Sequence, residues 1–245
     1  TIDALFGLLP ADEVPTMATA SVISTDMTAE TGIAVDANSQ MMIEADIINA
    51  ALATSVSLDD NSAVTVAPII ALNKGSAGAV ALISGSDTVQ TATGDIAVTA
   101  DDTSTIHAEV KSAAASLAAG TGKSTSVAVA VSFARNVLRT SVDAGILASG
   151  LVNPVEATTG EIKVSAVRNG SIEAISRAVA ATLSVSATSG NSIAVSVGGA
   201  SAINRLYGSA DASIEDSELS VDEVTIEAKS ASKIDAEVIA VAASA

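Results

Sequence analysis

One strand-like signature returns four times at nearly constant spacing. It reads Ile33-Ala34-Val35-Asp36-Ala37, Ile96-Ala97-Val98-Thr99-Ala100, Ile162-Lys163-Val164-Ser165-Ala166 and Val224-Thr225-Ile226-Glu227-Ala228, with intervals of 63, 66 and 62 residues. Ten residues after each start stands Ile43, Ile106, Ile172 or Ile234, followed two positions on by Ala45, Ala108, Ala174 or Ala236. Each unit of such a repeat buries its apolar face against the next, so the chain is bounded to stacked supersecondary structure. The array divides into a shortened partial repeat over 1–32, repeats over 33–95, 96–161 and 162–223, and a partial repeat over 224–245. No linker interrupts it, and it reads as one continuous array cut from something longer. Thr1-Ile2-Asp3-Ala4 already matches Thr105-Ile106-His107-Ala108, and the interval from Ile2 to Ile43 is short by part of a unit.

The apolar residues are small or β-branched. Hydrophobic residues make up 49% of the chain, yet Phe6, Phe133 and Tyr207 are its only aromatics. That composition suits thin layers of closely spaced strands. Within one unit, strands are expected at Ile96–Ala100, Thr105–Ala119, Ser124–Asn136 and Leu138–Ala144, with a break at Gly120-Thr121-Gly122. Helix propensity favours a helix over the Ala-rich 105–119, but its counterpart Ile172–Thr188 alternates Val179, Leu183 and Val185 with small residues and decides for a strand. One parity of each long strand starts charged, as His107, Glu109 and Lys111, and then turns to Ala. The expectation is a strand running from a solvated edge to a place covered on both faces. The fold class is all-β: a β-solenoid of units of about 63 residues, or alternatively an antiparallel two-sheet repeat array.

Charge excludes several functions. The 28 acids against 11 bases leave a net charge of −17, which repels phosphate backbones and makes nucleic acid an unsuitable partner. There is no cysteine, hence no disulfide, thiolate metal site or cysteine nucleophile. Residues 178–204 lack charge, but their Ser, Thr, Gly and Asn content argues against a membrane helix, and three aromatics cannot furnish the girdles of a membrane barrel. Gly120-Thr121-Gly122-Lys123-Ser124 lacks the first glycine of a phosphate-binding loop, Leu117 standing in its place. His107 shares a column with Glu44, Glu173 and Asp235, so it belongs on a solvated strand, paired with acids. Nothing around it makes a catalytic triad, and the chain is read as non-catalytic. Asn169-Gly170 is read as the turn before the strand at Ile172.

Calcium is the one cofactor with candidate ligands. Asp59, Asp60, Asp101, Asp102, Asp216 and Glu218 supply carboxylates in turns, and Ca²⁺ takes six to eight oxygens. Yet neither an EF-hand loop nor a calcium-binding nonapeptide occurs. A calcium- or carbohydrate-binding repeat domain is therefore the alternative reading.

Thr105-Ile106-His107-Ala108 with Val127-Ala128-Val129-Ala130-Val131 and Asn136, and Ser171-Ile172-Glu173-Ala174 with Val195-Ser196-Val197 and Asn204, resemble the repeats of very large secreted bacterial proteins. These are the leukotoxin-like filamentous adhesins and haemagglutinin-type surface proteins. The resemblance covers roughly residues 33–245. It implies a β-solenoid, an extracellular or cell-surface location, an adhesive or filament-forming structural role, and no catalytic residues. Partners would be other copies of the chain, end to end or laterally, and a glycan or surface receptor.

The winding of a unit remains open between two arrangements. One coil per unit stacks Glu44, His107, Glu173 and Asp235 about 4.8 Å apart, a costly ladder of charge. Three coils of about 21 residues separate them by about 14 Å, beyond a Debye length. Electrostatics favours several coils.

Overall fold

A computed structural model describes residues 15–187 and 190–245. Ile2 and the expected first strand lie outside the described residues. Among the described residues the structure is all-β, 79% strand and without helix, and no helix there is long and apolar enough to cross a membrane. The strands come in groups of four. The first group is β1 (Thr16–Ile23), β2 (Met27–Ala29), β3 (Ile33–Ser39) and β4 (Met42–Ser57). Then follow β5 (Asn61–Ser84), β6 (Val89–Thr91), β7 (Ile96–Asp102) and β8 (Thr105–Gly120). The third group is β9 (Ser124–Leu147), β10 (Val155–Ala157), β11 (Glu161–Arg168) and β12 (Ser171–Ser186). The last is β13 (Ser192–Glu215), β14 (Leu219–Ser220), β15 (Glu223–Ser230) and β16 (Lys233–Ser244).

Each strand pairs in parallel with the strand four places later, giving four four-stranded sheets. Sheet A is β1-β5-β9-β13, sheet B β2-β6-β10-β14, sheet C β3-β7-β11-β15 and sheet D β4-β8-β12-β16. The register reproduces the repeat: Ile33 pairs with Ile96, Ile96 with Ile162, and Ile162 with Val224. Ile43, Ile106, Ile172 and Ile234 likewise form one column. Ile106 and Ile172 are fully buried, Ile43 is half-buried, and Ile234, on the last strand of its sheet, is exposed.

This settles the winding against the expectation of several coils. Glu173 is the direct ladder partner of both His107 and Asp235, so one unit makes one coil. The charge argument failed because the ladder holds a base among its acids, as described below. The antiparallel alternative is also corrected: every strand pairing among the described residues is parallel. The arrangement is consistent with a β-solenoid.

The expected separate strands at 124–136 and 138–144 are one strand, β9, of 24 residues. Asn136 does not break it, because its side chain bonds to Asn73 and Asn204 on the neighbouring strands and the ladder continues. From it the chain turns through β10 and returns along β11 and β12. The coil is therefore thick at one end and thin at the other. At the thick end Ile83, Ile96, Val98, Ile146, Ile162 and Val164 fill the space between sheets A and C, with Val89 and Val155 from sheet B closing it. At the thin end sheets A and D meet through small residues. Ala67, Ala114, Ala128, Ala130, Ala178 and Ala180 make up that core.

Serines bridge the two layers there. Ser116 Oγ donates to the Ala63 carbonyl at 2.8 Å, Thr65 Oγ1 to that of Ala115 at 2.9 Å, and Ser112 Oγ to that of Ala67. Ser132 and Ser176 share a hydrogen bond of 2.9 Å. A hydroxyl that reaches the backbone of the facing sheet requires the layers to approach closer than the usual ~10 Å. The larger side chains of the same strands point out: Val131 is 40% exposed, Val64 60% and Leu183 45%. The expectation of cover on both faces is thus wrong among the described residues. The alternation was real, but its Ala/Ser parity is the one that faces inward.

A column of turn glycines permits the tight stacking before sheet C. A Cβ on Gly94, at φ +86°, would lie 1.8 Å from the Thr31 carbonyl oxygen, and one on Gly160 would lie 2.2 Å from that of Gly94.

The two cores predict opposite responses to substitution. Ala130→Leu overfills the thin end and should cost about 1–3 kcal/mol, whereas Val131→Ala on the same strand should fall within about 0.5 kcal/mol of wild type. Ile146→Ala at the thick end should cost about 2–5 kcal/mol. Urea unfolding followed by far-UV circular dichroism measures all three.

Candidate functional site

Like positions stack on like in this fold, so any site takes the form of a column running across coils. On the outer face of sheet D, Glu44, His107, Glu173 and Asp235 make one column, and Asp46, Glu109, Ile175 and Glu237 the next. Bases keep them together. His107 stands between Glu44 and Glu173, its Nδ1 3.1 Å from a Glu173 carboxylate oxygen. This bears out the expectation of a surface histidine paired with acids. Lys111 Nζ lies 2.6 Å from Glu109. Arg177 Nη2 lies 2.7 Å from Glu237, and its Nη1 3.8 Å from Glu109. Lys233 pairs with Asp235 at 3.2 Å. The hydrogen bond from Lys111 is the main cause holding the Glu109 carboxyl below its usual range; the charges of Lys111, Arg177 and His107 add to it, against the opposing effect of burial.

The six calcium candidates fall at three separate corners. Asp59 and Asp60 lie in the turn between β4 and β5, where an Asp60 carboxylate oxygen accepts the Lys123 N–H at 2.6 Å. Asp101 and Asp102 end β7 on opposite sides of the strand. Asp102 is buried and accepts the Ser104 hydroxyl at 2.7 Å. Asp101 points outward, its carboxyl raised above the ordinary value by burial first and by Asp36 second. Asp216 and Glu218 lie in the turn from β13 to β14, Asp216 with a left-handed φ of 49° and Glu218 accepting the Val155 N–H through its backbone carbonyl at 2.8 Å. Among the described residues, no three His, Cys, Asp or Glu side chains converge to hold a metal.

Two polar features lie between the thin and thick ends of the coil. Asn136 is fully buried; Asn73 donates to its side-chain oxygen at 2.9 Å, and its own amide donates to Asn204 at 2.9 Å. Asn204 in turn donates to the Asp235 carbonyl at 2.8 Å. An amide carries donor and acceptor at once, so a column of Asn satisfies itself from coil to coil. Asn136 and Asn204 were visible in the sequence as strand endings; Asn73 was the overlooked third member, at the same distance from its signature. Arg168 was not legible. It reaches inward from β11 and donates to Thr140 Oγ1 at 2.5 Å, Ser230 Oγ at 3.0 Å and the Tyr207 carbonyl at 3.2 Å. Burial lowers its pKa, and the charge of Asp102 opposes that shift.

The outer face of sheet A differs in sign. Lys74, Val137 and Arg205 share a column, with Arg135 in the column before it and Arg139 in the column after. The Arg139 guanidinium stacks over the Tyr207 ring, 4.7 Å from its centroid, beside a shallow groove that Met17 and Ser76 also line. Gly120 to Lys123, considered above as a phosphate loop, is the tip joining β8 to β9.

No family model, curated protein or solved structure matches this chain.

Two measurements follow. Asn136→Ala removes both hydrogen bonds that the buried amide makes to the half-buried Asn73 and Asn204 and should cost about 1–3 kcal/mol in all, read by chemical denaturation. For Glu109 the folded pKa is depressed, so its contribution is present above the unfolded carboxylate pKa and is lost as pH falls through the folded value. The melting difference between wild type and Glu109→Gln should therefore be positive at neutral pH and shrink on acidification.

Proposed function

We propose that this chain is a non-catalytic structural segment of a large extracellular bacterial surface protein or filament, with an adhesive or spacing role. In this reading the coils close into a β-solenoid whose axis runs across the strands. One observation carries it: all four sheets keep in-register parallel pairing from coil to coil, so each added unit extends the molecule by one strand spacing without altering its cross-section. A geometry of that kind makes length, stiffness and a periodic surface. The resemblance of the repeats to leukotoxin-like filamentous adhesins supports the same role, and so does the dispersal of the polar side chains into columns. Chemistry at a single centre needs groups that converge on one point.

Self-association belongs to this reading. Parallel strands whose side chains tolerate their own equivalents above and below can pair in the same register with another copy of the chain.

The experiment is electron microscopy with fibre diffraction on oriented protein. The expected result is a straight rod with a meridional spacing of about 4.8 Å along its length. Compact particles with no axial strand spacing would overturn the proposal.

A further inference from the structure

The faces of sheets A and D carry opposite charge, the exposed bases of face A standing one to two columns farther from the β8–β9 tip than the acids of face D. Cross-layer contacts fix which residues lie back to back. Ser126 Oγ meets Ser116 Oγ at 2.8 Å, Ser132 meets Ser176, and Ser176 is the ladder partner of Val110. Continued along the strands, this register puts Glu44 behind Leu72, His107 behind Arg135 and Glu173 behind Ile203. Lys74 and Arg205 stand one outward column further, about 7 Å along the strand. Three of the chain's 11 bases, Lys74, Arg139 and Arg205, thus reach the surface of face A of a strongly acidic protein, with Arg135 buried beside them at 8% exposed. Face D carries its acids in the columns of Glu44 and Asp46, behind those of Arg135 and Phe133, in excess over Lys111, Arg177 and Lys233.

Beyond both bands, toward the tip, the two faces are apolar. Face A shows uninterrupted columns Val64–Val127–Val195 and Val66–Val129–Val197. Face D shows Leu52, Val56, Val179, Leu183 and Val185, between 44% and 79% exposed. A second copy displaced along the sheet normal and by about 7–10 Å along the strands, without rotation, lays basic band on acidic band and keeps apolar wing against apolar wing. Seventeen residues at about 3.3 Å, across three strands at about 4.8 Å, give a face on the order of 800 Å², the area that each partner contributes to a stable interface.

We propose that copies of this chain laminate face A to face D, a heterologous contact that repeats without closing. The proposal rests on the structural, self-associating role above and names its lateral contact. Charge selects it over A-on-A and D-on-D, which juxtapose like bands.

The test uses the full 245-residue chain and two charge-reversed forms. One carries Lys74→Glu, Arg139→Glu and Arg205→Glu; the other carries Glu44→Lys, Asp46→Lys and Glu173→Lys. In light scattering the wild-type mass should rise at least twofold with concentration. Each variant alone should lose that rise, and an equimolar mixture should regain it, because each variant's faces then complement the other's. Circular dichroism checks that both retain strand. Equal association of wild type and both variants, or a folded pair whose mixture stays dissociated, would overturn lamination. Rods persisting in the reversed forms leave the structural role intact and refute only the face contact. Should the reversed forms not fold, Val66→Lys with Val129→Lys takes their place: loss of association supports the proposal, and unchanged association refutes it. A wild type that remains monomeric and instead floats with neutral phosphatidylcholine vesicles also refutes it, in favour of a lipid surface.

Discussion

Parallel, in-register backbone pairing at one coil per unit constrains every other feature of this molecule. Each side chain is obliged to tolerate its own equivalent about 4.8 Å above and below. Apolar columns gain from that obligation, since Ile96 over Ile162 and Val129 over Val197 pack with matched shapes. Polar residues inside either bond to their own kind from coil to coil, as Asn73, Asn136 and Asn204 do, or to the facing layer's backbone, as Thr65, Ser112 and Ser116 do. On the outer face of sheet D the stacked acids are relieved by bases in the same or a nearby column, His107, Lys111 and Arg177 among them.

The taper of the cross-section follows from side-chain volume rather than from strand geometry. Ile, Val and Leu keep sheets A and C apart, while Ala and Ser let sheets A and D close until hydroxyls reach the opposing backbone. A thin core buries little apolar area per residue. The serine-to-carbonyl bonds satisfy buried hydroxyls that would otherwise be costly there. The larger apolar groups are then left on the outside, which makes the thin end the stickiest part of the surface.

The repeat, the strand class and the column of Ile43, Ile106, Ile172 and Ile234 were legible in the sequence, because period and register are properties of order alone. The winding was not. Counting Glu44, Glu173 and Asp235 as an unsupported like-charge stack gave too little weight to His107, which stands in that column beside Glu173, and to Lys233, which pairs with Asp235. The inward parity of β9 was not legible either: Val127, Val129 and Val131 have the volume of core residues beside Ala128 and Ala130, and only the spacing between sheets A and D shows that valine does not fit there. Asp59, Asp101 and Asp216 were grouped by composition, whereas the coil sends their turns to different corners. Arg168 left no sequence signal, since its partners Thr140, Tyr207 and Ser230 come from three other strands.

The unequal unit lengths are absorbed entirely in the corners. β5, β9 and β13 are each 24 residues long, while the connection after them runs over 85–88, 148–154 and 216–218. An insertion within a strand would exchange its faces from that point onward, sending Lys111 or Glu109 into the layer of alanines. One in the 148–154 corner merely lengthens a loop. This corner is thus the address at which a foreign peptide could be grafted, or natural variation could accumulate, with the scaffold left unaware of what it carries.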